Sequence, residues 1–94
     1  MATLSDAEIE QRLAESGGWR RGEGPEIVRD LKFDDFAAAI AFVDRVAELA
    51  EQANHHPDIL VHGWNNVRLT LSTHSAGGLT DADFALAQRI DGLL

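Results

Sequence analysis

The sequence predicts an α+β fold in which helices cover one face of a four-stranded antiparallel sheet. Its 94 residues point to a single domain that spans 1–94. Apolar residues recur at helical spacing in three segments, and two pairs of shorter extended segments lie between them. The predicted order is therefore helix, two strands, helix, two strands, helix. Strands joined by short turns pair antiparallel, and the helices then pack together on one side of the sheet.

The first helix is predicted to begin after Ser5. Ser5 and Glu8 have the spacing of a capping box, and Leu4 can pack on Ile9 as a hydrophobic staple. The pair Gly17–Gly18 predicts the end of the helix, because glycine readily adopts the left-handed conformation that terminates helices.

A hairpin of two strands follows around the turn signal Gly24–Pro25. In its second strand Ile27, Leu31 and Phe33 alternate toward one face, which they share with Arg29. This alternation predicts a strand with one buried face.

The second helix is long and is predicted to begin at a cap formed by Asp34 or Asp35. Two apolar stripes at helical spacing form a broad face suited to covering a sheet. They consist of Phe36, Ile40, Val43, Ala47 and Ala50, and of Phe42, Val46, Leu49 and Ala53. We expect the helix to end near His55 or His56, because the residue before a proline avoids the helical conformation.

The second pair of strands is predicted at 58–62 and 67–72, with a turn at Gly63. A loop at 76–78 leads to the last helix, which Thr80 caps with Asp83 at the third helical position. Leu79 and Phe84 are placed as its hydrophobic staple, and the inner face carries Leu86, Ile90 and Leu93.

The composition excludes several classes of function. Eight basic and 16 acidic side chains give a net charge of −8, which disfavours nucleic acids and anionic membranes as partners. The absence of cysteine excludes disulfides, thiolate nucleophiles and cysteine-based zinc sites. No signal peptide and no membrane-spanning segment is predicted, so a cytoplasmic location is the default expectation.

The histidines are the main indication of function, since all four lie between positions 55 and 74. His55 and His56 are adjacent at a predicted helix end, and Glu51 precedes His55 by four residues, on the same helical face. His74 follows a strand and shares its polar face if that strand stays extended. Histidine is suited to proton transfer near neutral pH, so several around one pocket can supply both an acid and a base. A lone histidine is more often a surface or capping group.

Other chemistries fit the same residues less well. A metal site could draw on Glu51, His55, His56 and His74, but adjacent histidines diverge on a helix and no His-x-x-x-His pair is present. Ser72 and Thr73 lie near His74 without a nucleophile elbow around them. An anion at the start of the last helix would meet the acidic side chains of that helix's first turn.

Four segments together resemble the pterin-4a-carbinolamine dehydratase family. The second half of the chain carries the resemblance, and the combination of His-His-Pro with a later Ser-Thr-His is its specific part. The segments are Asn54-His55-His56-Pro57-Asp58, Trp64-Asn65-Asn66-Val67, Leu71-Ser72-Thr73-His74 and Gly77-Gly78-Leu79-Thr80-Asp81-Ala82-Asp83. In the first half, Gly18-Trp19 and the order of elements agree with the family.

The resemblance implies the same α+β fold and a homodimer or homotetramer whose sheets join across subunits. It implies that His55, His56 and His74 are catalytic and that Asp83 belongs to the site. Supporting residues, which contact substrate or hold the histidines, are implied at Glu51, Trp19, Ser72, Thr73 and Pro57. One departure is that 58–64 looks one residue longer than the commonest family form, which fits a bulge or a longer turn at Gly63. His62 lies in this variable stretch and is not expected to be catalytic.

The implied reaction removes water from a 4a-hydroxytetrahydropterin, with His55 and His74 as the acid and base pair and His56 orienting the substrate. Asp83 would hydrogen-bond a histidine, although it is equally suited to closing the capping box of the last helix. The two roles are compatible only if its two oxygens divide them. Trp19 or Trp64 could pack on the pterin ring, and core or interface packing is an equal alternative for each. No metal or cofactor is implied, and the small-molecule substrate is the expected partner.

A binding module is the competing function. The resemblance also covers dimerisation partners of a transcription factor and assembly factors, and the acidic surface suits protein partners. The complete histidine set favours the enzyme, because a scaffold does not need it. A structural or stress protein without a ligand has no specific feature in its favour.

Overall fold

A computed structural model describes residues 2–94, and its elements follow the predicted order. The elements are α1 (Asp6–Ser16), β1 (Arg20–Arg21), β2 (Ile27–Lys32), α2 (Phe36–Ala53), β3 (Asp58–His62), β4 (Asn66–Leu71) and α3 (Asp81–Asp91), with a 3-10 turn at His74–Ala76 between β4 and α3. The predicted α+β fold is confirmed. Within residues 2–94, none of the helices has the length and apolar character that crossing a bilayer requires.

The four strands form one antiparallel sheet in the order β1-β2-β4-β3. β2 pairs with β4 from Ile27 opposite Leu71 to Lys32 opposite Asn66. β3 pairs with β4 on the other side and is an edge strand. β4 is therefore held on both sides, which fixes the position of the segment that follows it.

The predicted helix starts are confirmed. Ser5 accepts a hydrogen bond from the Glu8 N–H and completes the capping box of α1, and Gly17 ends this helix with a φ of 78°. Of the two candidates for the α2 cap, Asp35 holds the position and accepts the Ala38 N–H at 2.7 Å. These local signals define where each helix meets the sheet.

The predicted end of α2 at His55 or His56 is wrong by two residues or more. The helix ends at Ala53, and Asn54 adopts the left-handed conformation with a φ of 50°. The Asn54 N–H still bonds to the carbonyl oxygens of Ala50 and Glu51. Asparagine tolerates this conformation better than most residues, so the turn closes before the histidines and leaves both outside the helix.

The core lies between the inner face of the sheet and the helices. Val67, Leu69 and Leu71 of β4 are fully buried. The helices contribute the other side of the same cluster, which includes Phe42 and Val46 from α2 and Leu86, Ala87 and Ile90 from α3. The strand that leads to His74 is thus packed on the most buried part of the molecule.

We expect Leu69→Ala to lower the free energy of unfolding by about 2–5 kcal/mol, because it opens a cavity in a filled core. Leu69 is 0% exposed, whereas Leu94 is 57% exposed and serves as the matched control. Leu94→Ala should change the free energy by at most about 0.5 kcal/mol. Urea titration of both variants measures the difference, and equal costs would contradict the placement of β4 at the centre.

The outer face of the sheet carries charged side chains. Asp30 bonds to Arg68 and Arg20, both at 2.7 Å. The hydrogen bond from Arg68, aided by Arg20, holds the pKa of Asp30 below its ordinary value against an opposing effect of burial. Stability from this pair is therefore present above the unfolded-chain pKa of Asp30 and is lost as pH falls through the lowered one. The pair is well exposed to solvent, so its contribution is small.

The turn between β3 and β4 contains three residues, Gly63–Asn65, because the strands pair without interruption up to His62 opposite Asn66. β3 contains no bulge, so of the two alternatives drawn from the sequence the structure fits a longer turn at Gly63. Gly63 and Trp64 both have positive φ, at 55° and 61°. Asn65 is buried and anchors the turn to Phe33 through the backbone and the side chain.

Candidate active site

His55 is held against a buried carboxylate. Its Nε2 lies 2.5 Å from Oδ1 of Asp83, the third residue of α3. The His55 side chain is 14% exposed and that of Asp83 is 0% exposed. The His55 N–H also bonds to the Ala50 carbonyl oxygen, which ties the histidine to the end of α2. One edge of this imidazole is therefore fixed inside the protein.

The two oxygens of Asp83 have different partners. Oδ1 faces His55, whereas Oδ2 accepts the Thr80 N–H at 2.9 Å and the Thr73 hydroxyl at 2.8 Å. Thr80 in turn caps α3 by accepting the Ala82 N–H. The carboxylate thus closes the capping box and contacts the histidine at the same time, which is the division between its oxygens that the two roles require.

His56 points away from this buried group. Its Nε2 lies 2.5 Å from Oε2 of Glu51, and the two side chains are 59% and 76% exposed. The expectation that Glu51 shares a face with His55 is wrong, because the helix ends before the histidines and the left-handed Asn54 redirects the chain. Glu51 is therefore a partner of His56, held in an open and solvated position.

His74 begins the 3-10 turn that follows β4. The strand ends at Leu71 and does not stay extended to His74, because Thr73 starts a turn in which its carbonyl oxygen accepts the Ala76 and Gly77 N–H groups. Nε2 of His74 nevertheless lies 3.3 Å from Oγ of Ser72. His74 is exposed, so its ring is available at the surface.

A chain of contacts links the two histidine segments. His55 contacts Asp83, Asp83 contacts Thr73, and Thr73 directly precedes His74. His56 follows His55 in sequence. His55 and the segment that carries His74 thus meet at the start of α3. His55 is set into the protein, whereas His56 and His74 are exposed.

Three cavities in residues 2–94 lie away from the histidines. One of about 490 Å³ lies between α1 and α3, and another of about 270 Å³ lies on the outer face of the sheet beside His62. A third of about 210 Å³ borders the N-terminal segment and Gly77–Gly78. None of these three cavities is lined by His55, His56 or His74, so none of them is the pocket around the histidines that the sequence suggested.

Trp19 is not brought to the histidines. Its side chain is buried in the core, and its indole N–H donates to Oδ1 of Asp91 at 2.9 Å. Asp91 lies eight residues after Asp83 on α3, about 12 Å along the helix axis. The contacts of Trp19 are those of a packing residue. Trp64 is 61% exposed at the tip of the β3–β4 turn, and Pro57 is half-buried between His56 and β3.

The residues considered for a metal site do not form one. Within residues 2–94 no group of three or more histidine, aspartate or glutamate side chains is arranged to hold a metal ion. His55 turns to Asp83 while His56 turns to Glu51, so the adjacent histidines diverge.

Sequence patterns identified Thr80 as a helix cap but missed its place beside the site. Its hydroxyl lies 2.9 Å from that of Thr73, and both side chains are buried. The capping-box spacing of Thr80 and Asp83 was the available signal, since the same carboxylate reaches His55.

Comparison with sequence models of protein families matches residues 2–93 to the family described as "Pterin 4 alpha carbinolamine dehydratase". The chain belongs to this family. The resemblance noted in the sequence is confirmed, and the match covers nearly the whole chain.

Similar proteins agree with this assignment. Relatives from Chloroflexus aggregans and Roseiflexus sp. (strain RS-1) are 54% and 55% identical, and both bear the provisional name pterin-4-alpha-carbinolamine dehydratase. The alignments cover 100% of this chain and 99% and 100% of those proteins.

Two solved structures share the fold. A protein from Brucella melitensis described as a transcriptional coactivator/pterin dehydratase has a TM-score of 0.91 and 34% identity, with 97% of each chain covered. A pterin dehydratase-like protein described as a RuBisCO assembly factor in the alpha-carboxysome has a TM-score of 0.67 and 32% identity, with 81% of this chain and 88% of that chain covered. Proteins of this fold thus carry names of both catalytic and assembly roles.

Proposed function

We propose that the chain catalyses the dehydration of a 4a-hydroxytetrahydropterin to quinonoid dihydropterin and water, and that it does so as a single domain. The observation that carries the proposal is the buried contact between His55 and Asp83, which is linked through Thr73 to the segment of His74. Membership of the dehydratase family supports the class of substrate.

The reaction needs one proton donor and one proton acceptor. The C4a–O bond breaks, and the 4a-hydroxyl takes a proton from the acid and leaves as water. The base removes the proton from N5, and the N5–H electron pair forms the C4a=N5 double bond. No electrons are gained or lost overall, so a pair of histidines in complementary protonation states completes the step.

His55 and His74 are assigned to the acid and base roles. His55 suits one of them because Asp83 holds its ring in place and stabilises the positive charge that it would carry when doubly protonated. His74 comes from a different segment, so it can address another atom of the substrate. His56 is assigned to binding and orientation, since its ring is exposed and is steadied by Glu51.

An assay on the purified chain tests the proposal. A pterin-dependent aromatic hydroxylase generates the 4a-hydroxy compound in solution, and absorbance follows quinonoid dihydropterin. The chain should accelerate its formation over the spontaneous reaction. His62→Ala is the matched control and should retain full activity, because His62 lies on the outer face of the sheet. A rate equal to the spontaneous one would remove the proposal.

The second candidate function is a protein-binding module. The large apolar side chains that are more than half exposed include Phe36, Leu60 and Trp64, which suits contacts with partner chains. The coactivator and assembly names of the two structural relatives support this role. A chain with this function alone would give no turnover in the dehydratase assay.

We also propose that the chain forms a homodimer or homotetramer. β3 is an edge strand, and an edge strand presents unpaired backbone groups that a second copy can bind. Light scattering on the purified chain should give a mass two or four times the monomer mass of 10.3 kDa. A monomer at micromolar concentration would contradict this expectation.

A further inference from the structure

The start of α3 contains three buried polar side chains whose hydrogens can be placed by elimination. Thr80 and Asp83 are 0% exposed and Thr73 is 7% exposed. Each is bonded to the next: the hydroxyls of Thr80 and Thr73 are 2.9 Å apart, and Thr73 reaches Asp83 at 2.8 Å.

The direction of the chain of hydrogen bonds follows from its ends. An ionised carboxylate only accepts, so the Thr73 hydroxyl must donate to Oδ2 of Asp83. Thr73 has then used its one hydrogen, and the hydrogen between the two hydroxyls must come from Thr80. Thr80 can supply it, because its oxygen accepts the Ala82 N–H through a lone pair and the hydroxyl hydrogen stays available.

The hydrogen between Asp83 and the imidazole of His55 can be placed in the same way. Oδ2 of Asp83 accepts the Thr80 N–H at 2.9 Å, a donor whose direction is fixed, and this bond favours the ionised carboxylate. Oδ1 is therefore an acceptor as well, and the hydrogen in the 2.5 Å contact with His55 belongs to Nε2. The other ring nitrogen, Nδ1, takes no part in the bonds described for this group.

We propose that the chain Thr80–Thr73–Asp83 fixes His55 with its hydrogen on Nε2, so that Nδ1 is the nitrogen that exchanges a proton with the substrate. Thr80 is in this view a positioning residue, which acts on His55 through two other side chains. The catalytic consequence rests on the proposed dehydratase function, whereas the position of the hydrogen does not depend on it.

Nitrogen NMR of the histidine-labelled full chain tests the inference without substrate. Ring hydrogens are not seen directly in most structures, so the tautomer must be measured. In the neutral ring, Nε2 should resonate in the pyrrole-like range and Nδ1 in the pyridine-like range, with His55→Gln identifying the signals. A neutral His55 with its hydrogen on Nδ1 would overturn the inference. Dehydratase activity in the same protein would then show that the proposed function holds without this tautomer.

Paired variants separate positioning from structure. Thr73→Val and Thr80→Val each break the hydroxyl chain, and we expect kcat to fall about 10-fold to 100-fold, by analogy with other groups that orient a histidine indirectly. The pH profile of kcat should also shift, and the Nε2–H signal should broaden or move. Thr73→Ser and Thr80→Ser keep the hydroxyls and should restore both readouts.

Ser5→Ala is the control for loss of a cap alone. Ser5 holds the same capping-box position at α1 that Thr80 holds at α3, and it makes no contact with the histidines. Its replacement should lower the melting temperature without changing the tautomer or kcat. If Thr80→Val fails to fold, Thr73→Val retains the α3 cap and decides the question. An unchanged tautomer and pH profile in Thr73→Val would refute the positioning role.

Discussion

Replacing His55 or His74 by alanine should lower the turnover number by about one hundred to ten thousand fold, the usual contribution of a general acid or base. His55 is held by a buried carboxylate, and His74 comes from the separate segment after β4. Each variant removes one of the two groups proposed to transfer protons, so the remaining histidine should not complete the dehydration at the same rate. Steady-state measurement of quinonoid dihydropterin formation gives the two rates.

His56→Ala provides the internal comparison for these variants. His56 is exposed and bonded only to Glu51, so its loss should raise KM more than it lowers kcat. Circular dichroism and urea unfolding must show that the alanine variants are folded. Near-normal turnover in folded His55→Ala and His74→Ala proteins would remove the acid and base assignment.

Asp83→Asn should lower turnover by about one hundred fold or more and also destabilise the fold. The Thr80 N–H and the Thr73 hydroxyl donate to this carboxylate, and the tautomer proposed above adds Nε2 of His55 as a third donor. An amide must turn its NH₂ group toward one of them. If the NH₂ group faces the Thr80 N–H and the Thr73 hydroxyl, a buried donor loses its acceptor at a cost of about 1–3 kcal/mol. If it faces His55, the hydrogen of His55 is forced onto Nδ1.

Asp81→Asn is the matched control for this change. Asp81 lies two residues earlier on α3, where its exposed carboxylate pairs with Arg12, and exposed pairs contribute at most about 1 kcal/mol. The Asp81→Asn variant should therefore have an activity and an unfolding midpoint close to those of the parent chain. If the two asparagine variants behaved alike, Asp83 would have no special relation to His55.

The sequence predicted the fold well because its local signals agree with each other. The capping boxes at Ser5 and Thr80 and the alternating residues of β4 define elements that need little information from elsewhere. The exact end of α2 was missed, because Pro57, four residues after Ala53, suggested a later stop than the left-handed Asn54 produces.

Predictions about the site were limited in a different way. Motif spacing could place His55, His56 and His74 near one another, but not the direction in which each ring points. Glu51 was expected beside His55 and lies beside His56. The left-handed conformation of Asn54 changes the direction of the chain, so the residues after it no longer follow the helix. Trp19 is an aromatic residue in a matching position, yet its burial against α3 is set by long-range packing. Such packing produces no periodic pattern in the sequence.

The shared use of Asp83 couples local folding to chemistry. Its Oδ2 belongs to the first turn of α3 while its Oδ1 belongs to the imidazole of His55, so unwinding that single turn releases the histidine. Parts of a native domain open locally with free energies below that of global unfolding, and breaking this one turn leaves the sheet paired. Heating should consequently abolish turnover at a temperature below the cooperative melting of the sheet. This loss of catalytic activity should be reversible, because the rest of the chain is still folded.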